Sequence, residues 1–330
     1  MDKRYLENFL YFKEEGHKYN DSNGDSYISV TTFIHDNYVP AFDKKYWLHR
    51  KSNELGISEK SLARRWQNIT DEACDRGNKT HNGLEDAIKQ GSMFSDAIKY
   101  LTNTKTGRCI TVADIPALIP KPLDLSYFIE LTNNRYEEIY RVFQFYIDRG
   151  YTIYSEIGSF LIDYKLSGTI DILCIRPTDF VILDWKTNRE GLIFESGYFK
   201  KDKTVKPVQL TNEWIPKDET LLPPLSHLPN CKGYVYSLQT SMYARMVELI
   251  LGIPCSGIGL CHIGSPFVLN EYGKPYRDIN DQYTIDPNGK EIVKWFRINY
   301  LKSEINAILA DRYRFISANK VKVAQQDLFN

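Results

Sequence analysis

The chain has 330 residues, 42% of them hydrophobic, which is enough to bury a sizeable core, and its 42 Lys and Arg balance 42 Asp and Glu. That balance excludes recruitment of a polyanion by overall charge, so any phosphate-binding surface has to be local. No stretch reaches the length of a membrane span, residues 1–9 lack the apolar segment of a secretory leader, and six scattered cysteines without a C-x-x-C pair suggest neither a zinc ribbon nor a disulfide framework. The expectation is an intracellular, cytoplasmic protein, viral or phage encoding included.

In chain order, residues 17–30 read as a hairpin turning at Asn23-Gly24. From Phe42 to about Lys89 the pattern is helical. A first segment holds Tyr46, Trp47 and Leu48; a second runs from Ser61 to Glu85 and puts His81 and Glu85 on one face. A lone helical histidine is more often a packing or surface residue than a ligand. Residues 91–126 look like a loop-rich connection, and Phe128 to Tyr146 predicts one long amphipathic helix stopped by Gly150. This gives an N-terminal part, 1–150, with a hairpin and the His81 helix.

A core over 151–318 follows. Tyr151–Leu161 alternates like a strand and carries Glu156, either a third carboxylate or an exposed edge residue. Two β-branched, apolar runs come next, Gly168–Ile175 and Phe180–Thr187, flanking a Pro-containing turn. A turn centred on Pro177-Thr178 places Asp171 directly opposite Asp184, and alternation puts Lys186 on the face of Asp184 with Trp185 on the other. Like charges so opposed, with Cβ atoms roughly 5 Å apart, are destabilising unless something sits between them. A divalent cation would do so; a structural Asp–Lys ion pair, or an odd-length turn that separates the acids, is the competing reading.

The Pro-rich insertion 188–232 reads as a long loop carrying Lys200, Lys201, Lys203 and Lys206, which are solvated cations or contacts for phosphate. A helix from about Gly233 to Leu251 sets Gln239 and Tyr243 on one face, Ser256–Ile263 is a further strand, and Glu291–Ile316 predicts a final helix. Residues 319–330 are expected to be a flexible tail standing apart from that helix.

Acid, a dozen residues, then Asp-x-Lys, with a preceding Glu, resembles the PD-(D/E)xK nuclease superfamily, here as Asp171, Asp184-Trp185-Lys186 and Glu156. Gly77-x-x-x-His81 and Gln239-x-x-x-Tyr243 resemble the helical motifs of its RecB-like exonuclease branch, and Ser29-Val30-Thr31 is similar to exonucleases of the mitochondrial genome-maintenance type. The resemblance covers about residues 15–263. It implies an α/β fold in which a mixed central sheet is flanked by helices, a restriction-endonuclease-like, RecB-type core. It also implies metal ligands at His81, Asp171 and Asp184, with Lys186 beside the attacking water, Glu156 and Glu85 as further acids, and Gln239 and Tyr243 contacting DNA or bracing the lysine. Hard carboxylate oxygens suit Mg²⁺ or Mn²⁺, and an imidazole is better tolerated by manganese. Some members of the branch hold an iron-sulfur cluster on one early and three late cysteines; here only Cys255 and Cys261 lie close together, and no cluster is expected.

The implied activity is a metal-dependent DNA exonuclease acting on single-stranded or end-containing DNA in replication, repair or recombination. A structure-selective endonuclease and an inactive nuclease-fold DNA-binding protein are the alternatives. No G-x-x-x-x-G-K-[ST] is present, so a helicase would be a separate chain. Gln325-x-Asp327-Leu328-Phe329 resembles a bacterial sliding-clamp-binding peptide and makes a clamp a candidate partner.

Overall fold

The computed structural model describes residues 10–13, 18–21, 24–91, 123–279 and 282–327. It is a mixed α/β structure with a central mixed sheet flanked by helices. In chain order the elements are β1 (Leu10–Lys13), β2 (Lys18–Asp21), β3 (Ser26–Ser29), α1 (Val30–Tyr38), α2 (Lys44–Leu55), α3 (Glu59–Gly91), α4 (Leu125–Leu131), α5 (Glu137–Ile147) and β4 (Thr152–Leu161). There follow β5 (Leu166–Arg176), β6 (Asp179–Lys186), β7 (Gly197–Asp202), β8 (Gln209–Pro216), α6 (Lys232–Leu251), β9 (Cys255–Gly264), β10 (Ile292–Ile298) and α7 (Lys302–Asp327).

The strand order is β1-β2-β3-β5-β6-β9-β10, with β4 paired to the other edge of β5. Along that first edge β5 changes partner: Ile172–Arg176 pair with β6, whereas Leu166 and Ser167 pair in parallel with β3. Between those ladders Gly168–Asp171 have no partner strand on that side. Two apolar clusters cover the two faces. One, with Leu173, Ile175 and Ile182, packs α1, α6 and α7 against the sheet; the other, with Ile172, Leu183 and Trp185, packs α3, α4 and α5.

Four expectations need correction. The 128–146 helix is two helices, because Thr132 turns its hydroxyl onto the Phe128 carbonyl and Asn133 and Asn134 take left-handed backbone (φ 54° and 55°), which asparagine tolerates. The insertion 188–232 is no plain loop: β7 and β8 pair as a separate antiparallel hairpin. Residues 292–298 form an edge strand, Val293 opposite Ile263 and Trp295 opposite Cys261, because ladder bonds and packing against the second cluster outweigh an apolar pattern that fits either period. The last helix therefore starts at Lys302 and, with no Gly or Pro to stop it, runs through Gln325 to Asp327, where a separate flexible tail was expected. Leu328 and Phe329 lie outside the described residues, as does most of 91–126. Among the described residues no helix is long and apolar enough to cross a membrane.

Candidate metal centre

The β5–β6 hairpin has the two-residue turn expected, with Arg176 opposite Asp179 and Ile172 opposite Leu183. Asp179 fixes that turn. Its carboxylate accepts hydrogen bonds from Arg176, from Thr178 Oγ1 at 2.7 Å and from the Tyr151 hydroxyl of the β4 entrance. The same register carried one step on would put Asp171 opposite Asp184, but the ladder stops first. Instead Asp171 Oδ2 accepts the Trp185 amide hydrogen at 2.9 Å, so a side chain replaces the strand's own backbone bond.

On the other edge, Ser155 pairs with Ile172 and Ile157 with Ile170, which sets Glu156 across from Asp171. Here both strands lose their alternation together. Tyr154 and Ile157, three apart, join the same cluster, while Ile170 and Ile172, two apart, join opposite ones. Glu156 carries the distortion, at φ 54°. A non-glycine residue in left-handed backbone inside a strand is strained, and such strain concentrates at functional sites.

His81 reaches this point from α3. Gly77, one turn earlier, lets the helix lie against the end of β6, since a Cβ there would stand 3.0 Å from Thr187 Oγ1. His81 Nδ1 is 3.6 Å from Asp171 Oδ2, and His81, Glu156 and Asp171 each offer a ligand atom within 4.8 Å of the others. Burial, then the charges of Asp171 and Glu85, holds the Glu156 carboxyl well above its ordinary pKa. Glu85 is ion-paired to Lys89 on its own helix.

Asp184 is not among the three. Its side chain is 2% exposed and contacts the Lys186 ammonium, and no further hydrogen-bond donor reaches either oxygen among the described residues. Burial raises its pKa against the opposing pull of Lys186. Burial lowers Lys186, but Asp184 and Asp171 more than offset this and its pKa lies above the usual lysine value. The ammonium sits 4.6 Å over the Tyr236 ring and donates to Gln239 Oε1 at 3.5 Å, while Gln239 Nε2 donates to the Tyr243 hydroxyl at 3.4 Å. Tyr243 is buried on Gly168, where a Cβ would come within 2.5 Å of its ring. Gln239 and Tyr243 thus brace the lysine.

His81, Glu156, Asp171, Lys186, Tyr236 and Tyr243 line a cleft of about 1010 Å³ whose wall also includes Trp66, Arg189, Arg277 and Lys232, while Asp184 and Gln239 are not part of its lining. Lys200 and Lys201 are not part of it; Lys200 is paired with Glu213 on the β7–β8 hairpin. Sequence reasoning missed Gly168, Tyr236 and His262, whose Nε2 donates to the Asn188 carbonyl at 2.7 Å and holds the chain just past Lys186. Tyr236 had a signal, lying three residues before Gln239 on the same helix face. No family model, curated protein or solved structure matches the chain.

Proposed function

We propose that this chain is a divalent-metal-dependent deoxyribonuclease with a restriction-endonuclease-like, RecB-type core. On this reading it hydrolyses phosphodiester bonds of single-stranded or end-containing DNA as an exonuclease, in replication, repair or recombination. One observation carries the reading: a histidine and two acids from three different elements converge within 4.8 Å beside a buried Asp–Lys pair. Two half-buried carboxylates facing each other on adjacent strands, as Glu156 and Asp171 do, are unfavourable unless a cation lies between them. One imidazole nitrogen and two carboxylate oxygens form a donor set that suits Mn²⁺ and, less well, Mg²⁺. Asp184 lies outside that donor set, and its carboxylate, buried with a single ammonium partner, is in keeping with a group that holds Lys186.

A cation held by His81, Glu156 and Asp171 would supply Lewis acidity and offset charge on a phosphodiester. The chain's own groups do the rest. Lys186, protonated and held by Gln239 and Tyr236, orients the attacking water or stabilises charge on the pentacoordinate phosphorus. Asp184 keeps that ammonium charged and in place.

The test is hydrolysis of end-labelled linear and closed circular single-stranded DNA with Mg²⁺ or Mn²⁺, using the intact chain, Asp171→Ala and Lys186→Met. Cleavage of linear DNA only, lost in both variants, is expected; cleavage of circles would make the enzyme an endonuclease, and undiminished cleavage by both variants would remove the site. Recruitment by a sliding clamp through Gln325, Asp327, Leu328 and Phe329 is a separate proposal.

A further inference from the structure

A second cleft, of about 1170 Å³, lies between the α2–α3 helical hairpin and the β7–β8 hairpin, and Trp66 and Ile69 line both it and the cation centre's cleft. Its wall combines aromatic faces with cations. Two half-buried indoles, Trp47 and Trp66, face it, and so does Phe42, 66% exposed. Around them stand Lys51, Arg65, Lys201, Lys203 and Lys206, against only Glu54 and Asp278. Glu54 is already paired with Arg50 and Lys51. Arg65, Lys203 and Lys206 have no ion-pair or hydrogen-bond partner among the described residues.

Aromatic faces beside the unpaired side chains of Arg65, Lys203 and Lys206 suit a ligand that is flat and apolar on one side and repeatedly anionic on the other. Unpaired nucleobases on a phosphate backbone have that chemistry, and stacking needs no particular base because every base has a π-face. A duplex cannot present its bases in this way. An apolar protein segment would use the indoles and leave the cations unmatched. We propose that this groove takes an unpaired DNA strand, bases against Trp47 and Trp66 and phosphates on Arg65, Lys203 and Lys206, and leads it into the cation centre. The direction of that lead rests on the nuclease reading; the binding does not.

The experiment is fluorescence anisotropy of labelled oligo(dT) and of a blunt duplex of equal length with the full chain in EDTA, so that no hydrolysis intervenes. Trp47→Leu and Trp66→Leu should each weaken oligo(dT) binding about tenfold, Trp47→Phe should retain most of the affinity, and duplex binding should not change. Replacing the exposed Lys203 and Lys206 by alanine tests the groove without touching packed residues, and should lower the slope of log Kd against log salt by about 1.4. Wild-type affinity in both leucine variants, as a groove for an apolar protein segment would give, overturns the proposal, and so does an equal loss on duplex. Intact oligo(dT) binding without metal-stimulated cleavage would instead sink the nuclease reading and leave the groove standing.

Discussion

The two ends of the β5–β6 hairpin hold buried aspartates in opposite states. At the turn, Asp179 is 8% exposed and accepts hydrogen bonds from a guanidinium and from hydroxyls of neighbouring elements. Burial works against the charge there, but Arg176, Tyr151, Ser256 and Thr178 overcome it, and the carboxyl lies far below its ordinary range. At the open end, Asp184 is 1% exposed, has one ammonium and is pushed the other way. Asp184 is the more deeply buried and the less satisfied of the two, so burial decides its state while hydrogen bonds decide that of Asp179.

The largest effect should come from disturbing the unsatisfied end. Glu156→Gln is expected to abolish Mn²⁺-dependent stabilisation, which in the parent chain should reach about 2.7 kcal/mol at a hundredfold excess of Mn²⁺ over Kd. In metal-free buffer the same variant should melt above the parent, because a carboxylate that burial and Asp171 hold against ionisation is gone. Equal Mn²⁺ shifts in the two melting curves would contradict the ligand role of Glu156.

The satisfied end should respond in the opposite sense. Asp179→Asn is expected to destabilise by about 2 kcal/mol at pH 7, the size expected for hydrogen bonds to a charged group. Because folding depresses this pKa from its ordinary 3.8, the parent's advantage is complete well above that value and is lost as pH falls through and below it. Urea melts of both chains at neutral pH and near pH 3 would show the gap closing, and a gap of constant size would mean that the charge is not what stabilises the turn.

A third substitution tests the brace on Lys186 at the open end. Gly168→Ala forces Tyr243 aside and should cost about 1–3 kcal/mol, with kcat falling more than KM rises, because Lys186 is displaced through Gln239. Smallest of all, removing Gln325–Asn330 should leave hydrolysis of free oligonucleotides unchanged while clamp binding in a pull-down is lost.

Much of the hairpin and of the lysine's surroundings is legible in the sequence. Two β-branched runs around Pro177-Thr178 announce a hairpin and its register, and the period of two assigns Asp184, Lys186 and Trp185 to their faces. The four-residue spacing of Gln239 and Tyr243 likewise announces a shared helix face. The unsatisfied end was harder to read because its key event is a backbone twist across two strands. Nothing in Ser155-Glu156-Ile157 signals positive φ, so Glu156 read as an ambiguous third acid while Asp184 took its place among the ligands. Ile292, Val293, Trp295, Phe296 and Ile298 fit a helix as well as a strand, and only pairing with β9 decides between them.

The hydrogen bond from the Trp185 amide to Asp171 has one more consequence. Whatever draws Oδ2 of Asp171 away must leave this N–H without its acceptor at the point where the β5–β6 ladder has already ended. If a cation takes that oxygen, hydrogen–deuterium exchange at this single main-chain position should rise on adding Mn²⁺, and an unchanged rate would mean that Oδ2 of Asp171 stays on the amide.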